Sequence, residues 1–170
     1  MPSVTITSPI GPLVLSSADD ALVGVTFVGN WNAAAPPATL DAKPDLPAAD
    51  PALTAAAQQL AEYFAGDRTE FDLPLAPAGD EFHCNVWRLI AEIPYGETVS
   101  YGSIAQQLGG VRLSQAVGSA TGRNPLPLVI ACHRVVGADG TLTGFGGGLD
   151  RKRFLLALEE SDEVKASRLF

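Results

Sequence analysis

Cysteine and histidine are scarce in this 170-residue chain: two of each, Cys84, Cys132, His83 and His133, and none within residues 1–80. Two unpaired thiols do not make a disulfide framework, and reduced cysteines point to the cytoplasm. The two Cys/His pairs are too far apart for any common zinc spacing, so neither a metal nor another cofactor is expected. Long apolar runs are missing too. No stretch reaches the length of a membrane span, and the N-terminus lacks a basic segment followed by an apolar one, so no membrane association or signal peptide is expected. Charge is sparse, at 18% of residues against 46% hydrophobic, which excludes a mostly disordered chain. The length suffices for one large domain or two small ones, with a core that needs no staple.

Positive charge is the scarcest of all in the first half. The net charge of −8 argues against nucleic acid as a partner when taken whole. Residues 1–80 hold ten acids against Lys43 and Arg68, a net of −8, whereas residues 81–170 hold nine of each sign. Between 82 and 158 there are seven bases and four acids, a net of +3. Such asymmetry indicates two modules with different partners.

The fold class expected is α/β, in the α+β sense: a small N-terminal antiparallel sheet with a helix, then a mostly helical C-terminal domain. Alternation in 4–7 and 13–15 around Ser8-Pro9-Ile10-Gly11-Pro12 reads as a hairpin, and 22–28 as a third strand. Residues 30–50, rich in Ala, Pro and Asp, read as a long irregular loop. Asp50-Pro51 opens a helix that Gly66 ends. Residues 69–75 read as a further strand. The boundary falls near Ala76–Gly79, giving domains 1–77 and 80–170.

Beyond it, Asp80 caps a helix carrying Phe82, Val86, Leu89 and Ile90. Ser100 caps a short helix, Gly109-Gly110 turns the chain, and 113–121 form another helix. Helix, glycine turn, helix is the layout of a helix-turn-helix, and also of many helical cores. Residues 128–131 read as an apolar strand delivering Cys132, and 150–160 as a last helix. Cys132 is open to two readings: a core cysteine, the commonest fate of an unpaired thiol, or a nucleophile activated by His133 or Arg134. The run Gly144–Gly148 lacks a P-loop ending; it would let backbone approach a phosphate or a flat ligand.

Several motifs converge on one family. They are Ile93-Pro94-Tyr95-Gly96-Glu97-Thr98-Val99-Ser100-Tyr101-Gly102, Ala116-Val117-Gly118, Asn124-Pro125, Cys132-His133-Arg134-Val135-Val136, and Thr143-Gly144-Phe145-Gly146-Gly147-Gly148-Leu149 with Lys152-Arg153. In order and spacing the chain resembles the O6-alkylguanine-DNA alkyltransferases, closely over about 81–160 and in outline before it.

The resemblance implies direct DNA repair. The helix-turn-helix would bind double-stranded DNA in the minor groove, and the O6-alkylguanine would be flipped into a pocket. Cys132 would take the alkyl group irreversibly, so that each molecule, acting as a monomer, works once. The resemblance gives His133 the thiol proton through a water, Glu159 the orientation of His133, Asn124 the turn before the nucleophile, and Tyr101 a hydrogen bond to the leaving base. Backbone at Val135 and Gly146, beside Phe145, would read the base. Gln115, Ala116, Gly118, Ser119, Ala120 and Arg123 would face DNA. No metal is implied for transfer, and the site would work in the cytoplasm, on the nucleoid if the source is bacterial.

Three positions depart from the pattern. Gln115 replaces the usual arginine before Ala-Val-Gly, which enters the duplex in place of the flipped base; glutamine is shorter and uncharged. Ala131 replaces the usual proline before the cysteine, and Phe145 a common tyrosine. They sustain a second reading, a lesion sensor that binds alkylated DNA or an impaired alkyltransferase. Lesion sensors typically lack the cysteine, which is present.

Overall fold

The computed structural model describes residues 2–29, 31 and 50–160. The loop expected at 30–50 therefore lies almost wholly outside the described residues, as does the end of the chain after 160.

The first three strands, β1 (Ser3–Ile6), β2 (Leu13–Ala18) and β3 (Ala21–Phe27), form an antiparallel meander in the order β1-β2-β3. Asp19 and Asp20 both take positive φ, 50° and 64°, which matches the twist of a two-residue hairpin turn. Alternation then puts Leu13 and Leu15 of β2 on the buried face. Against that face packs α1 (Pro51–Phe64), whose Asp50 cap accepts from the Leu53 amide at 3.0 Å. Leu53, Ala56 and Leu60 recur at helical spacing and are fully buried.

Residues 69–75 are not a strand. Only a single parallel bridge joins Leu75 to Leu22. Side chains occupy the backbone groups instead: Gln59 brackets Asp72, accepting from its amide at 2.8 Å and donating to its carbonyl at 2.9 Å, while Arg68 donates to the Glu70 carbonyl. Pro74 has no amide to offer. Further on, the Pro74 carbonyl accepts from the Leu22 amide at 2.8 Å, so the segment meets β3 at one point without a strand's run of paired groups.

The second half begins with α2 (Glu81–Ala91), capped by Asp80, whose carboxylate accepts from the His83 amide at 2.8 Å. Then follow β4 (Val99–Ser100), α3 (Tyr101–Leu108), a 3-10 turn (Val111–Leu113) and α4 (Ser114–Gly122). Gly109 and Gly110, at φ 142° and 146°, make the turn between α3 and the 3-10 segment in a region that side chains rarely adopt. Trp87 of α2 donates its indole N–H to the Ala120 carbonyl at 2.8 Å and so fixes α4 on the core.

Residues 128–131, expected as a strand, are an irregular turn with Leu128 at φ 76°. Apolar composition had two explanations there, a buried strand and a buried turn, and the turn is the one adopted. A two-residue parallel pairing of β4 with β5 (Val135–Val136) follows instead, and α5 (Leu149–Leu158) closes the described chain.

The apolar core is continuous, running from Leu13, Leu15 and Leu60 through Val86, Ile90, Ile104 and Val117 to Leu155. Arg151 of α5 reinforces the seam. Its buried guanidinium donates to the carbonyls of Ile10, Val28, Gly29 and Gly147, and stacks 4.9 Å from the Phe27 ring centroid. A Cβ on Gly147 would come within 2.8 Å of the Phe27 ring, so only glycine lets this loop lie so close to β3. No helix among the described residues is long and apolar enough to cross a membrane.

Candidate active site around Cys132

Asn124 builds the turn that presents Cys132. Its side-chain amide donates to the Ile130 carbonyl at 2.8 Å, and its Oδ1 accepts from the Leu126 amide at 2.9 Å. The Cys132 amide then donates to the Ile130 carbonyl at 2.7 Å. Ala131, at φ −74° and ψ 66°, is the centre of this inverse γ-turn. A φ of −74° is within the range that proline imposes. The alanine thus holds the backbone that the usual proline would have fixed, and the neighbouring hydrogen bonds do the fixing.

Cys132, His133 and Arg134 form a 3-10 turn rather than the end of a strand. That difference matters, because consecutive residues of a strand face opposite ways. On the tight turn His133 and Arg134 both reach Glu159, the residue that ends α5. His133 Nε2 lies 2.6 Å from Glu159 Oε2; Arg134 Nε donates to Oε1 at 2.7 Å and Nη2 to Oε2 at 3.0 Å. The hydroxyl of Tyr63, from α1, donates to Oε2 at 2.5 Å. Arg134 also donates to the Ile93 carbonyl at 2.7 Å and stacks over the Tyr95 ring.

Burial would raise the Glu159 carboxyl, but the hydrogen bonds from His133, Arg134 and Tyr63 outweigh it and hold the group at about 2. Glu159 is therefore an anion, and His133 must donate from Nε2. Burial, first of all, lowers the His133 pKa and keeps the ring neutral, with the Arg134 and Lys152 charges acting the same way against Glu159. The lone pair of the neutral ring then sits on Nδ1, which is buried and has no hydrogen-bond partner among protein atoms. That lone pair is free to accept a hydrogen bond or a proton. Burial pushes the Cys132 thiol up to about 11, against the opposing influence of the Asn124 side chain and the Lys152 charge. At rest the sulfur carries its proton.

Cys132 opens on two cavities, of about 420 and 340 Å³. Tyr101, Gly118 and the loop Thr143–Gly146 enclose the larger; the Tyr101 ring lies 4.0 Å from where a Gly118 side chain would begin. The smaller faces β3, with Phe27, Asn124, Pro127 and Phe145 on its wall. Phe145 is braced edge-on by Phe27 at 5.6 Å. Lys152, fully buried on α5, donates to the Val135 and Thr143 carbonyls, both at 2.8 Å, and so ties β5 to the start of the glycine loop.

The structure gathers Cys132, His133, Glu159, Asn124, Tyr101, Phe145 and Gly146 at one place. Val135 lines neither cavity, and Lys152 occupies its carbonyl. On α4 the residues Gln115, Ala116 and Ser119 are exposed and Gly118 half-buried, with exposed Arg123 just past the helix end. Ala120 departs from that group: it is fully buried on the side facing α2. Helical periodicity turns it inward, since it lies three residues after the buried Val117. Sequence reasoning missed Tyr63, which lies outside the closely matched segment, and the roles of Arg134 and Lys152 toward Glu159 and the glycine loop. Their only signal was adjacency, Arg134 to His133 and Lys152 to the glycine run. Among the described residues, no three His, Cys, Asp or Glu side chains come together as a metal site.

Comparison with known proteins agrees with this geometry. The family model described as "6-O-methylguanine DNA methyltransferase, DNA binding domain" matches residues 81–161, and "6-O-methylguanine DNA methyltransferase, ribonuclease-like domain" matches 3–77. The chain is 46% identical over 167 residues to a methylated-DNA–protein-cysteine methyltransferase of Mycolicibacterium paratuberculosis, covering 98% of this chain and 96% of that protein. It is 44% identical over 155 residues to one from Methanosarcina acetivorans, covering 91% and 95%. Among solved structures it superposes with a TM-score of 0.77 on Mycobacterium tuberculosis OGT in complex with DNA, at 44% identity, covering 92% of this chain and 91% of that one.

Proposed function

The chain belongs to the 6-O-methylguanine DNA methyltransferase family, and from that premise we propose that it repairs DNA by moving the alkyl group of O6-alkylguanine onto Cys132, once per molecule. The observation that carries this reading is the buried Cys132, next in sequence to a neutral His133 whose buried Nδ1 has no partner; on this reading that nitrogen takes the thiol proton.

A thiol held at about 11 is inert until a base takes its proton. A water between Sγ and Nδ1 passes that proton to His133, and Glu159 stabilises the imidazolium through Nε2. The thiolate attacks the alkyl carbon. A C–S bond forms as the bond from that carbon to O6 breaks, and the electron pair stays on guanine. Tyr101 donates to the departing base and lowers the barrier. The thioether has no easy way back, so the protein is spent.

The target is not reachable inside a duplex. Exposed Gln115, Ala116, Ser119 and Arg123 and half-buried Gly118 offer α4 as the element for the minor groove, where small side chains allow close approach. The flipped base enters the 420 Å³ cavity between Tyr101 and the glycine loop. On this reading the protein acts as a monomer, in the cytoplasm or on the nucleoid.

Incubation with duplex containing O6-methylguanine, followed by intact mass measurement, is expected to show a gain of one CH2, located on the peptide holding Cys132. Tight binding of that duplex with no mass gain would favour the second reading, a lesion sensor or impaired alkyltransferase, for which the uncharged Gln115 is the supporting feature. Gln115→Arg is expected to speed transfer from duplex by about tenfold, the worth of one charge-assisted hydrogen bond, and to leave transfer from free O6-benzylguanine within about twofold. An equal gain on both substrates would remove residue 115 from base extrusion.

A further inference from the structure

Glu159 is not held by the second half of the chain alone. Its Oε1 takes one donor, Arg134 Nε, while Oε2 is shared by Arg134 Nη2, His133 Nε2 and the Tyr63 hydroxyl. Tyr63 is the penultimate residue of α1, lies 96 positions before Glu159 and is fully buried. Phe64, Phe71 and Tyr95 pack around its ring at 5.3, 5.5 and 6.3 Å. Burial, then the negative charge of Glu159, raises the phenol far above its ordinary range, so it stays a donor at every working pH. Phenylalanine would fill the same space. The hydroxyl spends its one hydrogen bond on the carboxylate that orients the candidate base.

We infer that Tyr63 is a positioning residue for alkyl transfer: its hydroxyl fixes Glu159 and limits how strongly Oε2 pulls on the His133 proton, so the N-terminal half tunes the base that activates Cys132. The inference rests on the alkyl transfer proposed above. A carboxylate that accepts an extra hydrogen bond is less basic, and its oxygen is a weaker partner for Nε2–H. The imidazolium is then less favoured, and Nδ1 stays open at neutral pH. The other groups around the imidazole are Cys132 and Arg134 on its own turn, Lys152 of α5 and Glu159 at that helix's C-cap; Tyr95 faces Tyr63 and Arg134. Arg134 and Lys152 oppose protonation of His133, so Glu159 is the group that favours it, and Tyr63 is its moderator.

The test is the single-turnover rate of transfer as a function of pH. Tyr63→Phe is expected to slow transfer about tenfold at neutral pH, the scale of a lost hydrogen bond to a charged group. It should also move the acid limb of the profile upward, because the cluster then binds a proton more tightly. Site-specific 3-fluorotyrosine at position 63 is a stronger donor and should move the limb downward. Leu60→Val, one helical turn away in the same core, makes a small cavity and is expected to leave the limb in place. Opposite shifts from the two substitutions at one site are not produced by a loss of packing, and the fluorinated protein gives a reading even where Tyr63→Phe folds poorly. A limb that stays put with 3-fluorotyrosine, or moves with Leu60→Val as far as with Tyr63→Phe, overturns the inference while the wild-type mass gain upholds the reaction. No mass gain in the wild type overturns both.

Discussion

Cys132→Ala is expected to abolish alkyl transfer, with no mass gain at excess O6-methylguanine duplex, and to leave affinity for that duplex within about twofold. The first half of the outcome follows from chemistry: Cys132 is the one thiol on the walls of the two cavities, and the hydroxyls beside it are far weaker nucleophiles at neutral pH. The second cysteine, Cys84, lies on α2, where its thiol donates to the Gly79 carbonyl, and it lines neither cavity. The second half follows from construction. Asn124 holds the turn through the backbone of Leu126 and Ile130, and the Cys132 amide is also a backbone donor, so the loss of the sulfur disturbs none of these bonds. The exposed residues of α4 are untouched. Binding of both proteins should weaken with rising salt, since phosphate contacts release counterions. Residual demethylation of the oligonucleotide by the variant would move the nucleophile away from Cys132. A large loss of binding would instead place the thiol among the contacts that hold the flipped base.

How much of this was legible beforehand depended on the distance over which each feature is set. Caps and turns are local chemistry, and Asp50, Asp80 and Ser100 cap helices as their residue types require. The three-strand meander follows from alternation and from the Asp19-Asp20 turn. Two segments misled. Residues 69–75 have a strand's composition, but Gln59 and Arg68 take backbone groups of Asp72 and Glu70, and side-chain competition of that kind has no periodic signal. Residues 128–131 are apolar because they are buried, and burial does not distinguish a strand from a turn braced by Asn124.

The site was legible where motifs are contiguous, from Cys132 to Arg134, and through resemblance for Tyr101, Asn124 and Glu159. It was illegible where contacts span the chain. Nothing in the spacing of Tyr63 and Glu159 brings them together; the packing of α1 against the second half does so. A strand would have sent His133 and Arg134 to opposite faces; the tight turn that replaces it lets both reach one carboxylate. Net charge misled most as a whole-chain figure, since the deficit of bases lies in 1–80 and the exposed face of α4 belongs to the other half.

Acid is expected to destabilise the protein in two stages, and the buried cluster supplies both. His133 comes first. Burial keeps its ring neutral in the fold below the ordinary value of 6.5, so as pH falls through 6.5 the unfolded chain takes up a proton that the folded chain refuses. Glu159 follows. It sits at about 2 in the fold against 4.5 ordinarily; above 4.5 both states are ionised and the fold keeps its full advantage, and between 4.5 and about 2 the unfolded chain protonates and the advantage is lost. A shift of that size corresponds to about 3 kcal/mol, a large share of the roughly 5–15 kcal/mol that holds a typical domain. Urea unfolding at a series of pH values should therefore show stability falling below 6.5 and more steeply below 4.5. Glu159→Gln should remove the second stage, since the amide does not titrate. At neutral pH it should cost about 3–5 kcal/mol, because Arg134 is left as a buried charge without its counter-ion. Stability that is level from pH 7 to 4 in the wild type, or an unchanged steep loss below 4.5 in Glu159→Gln, would show that the cluster is not the acid-sensitive element of the fold. The same ion pair that orients the base would then carry little of the stability its burial implies.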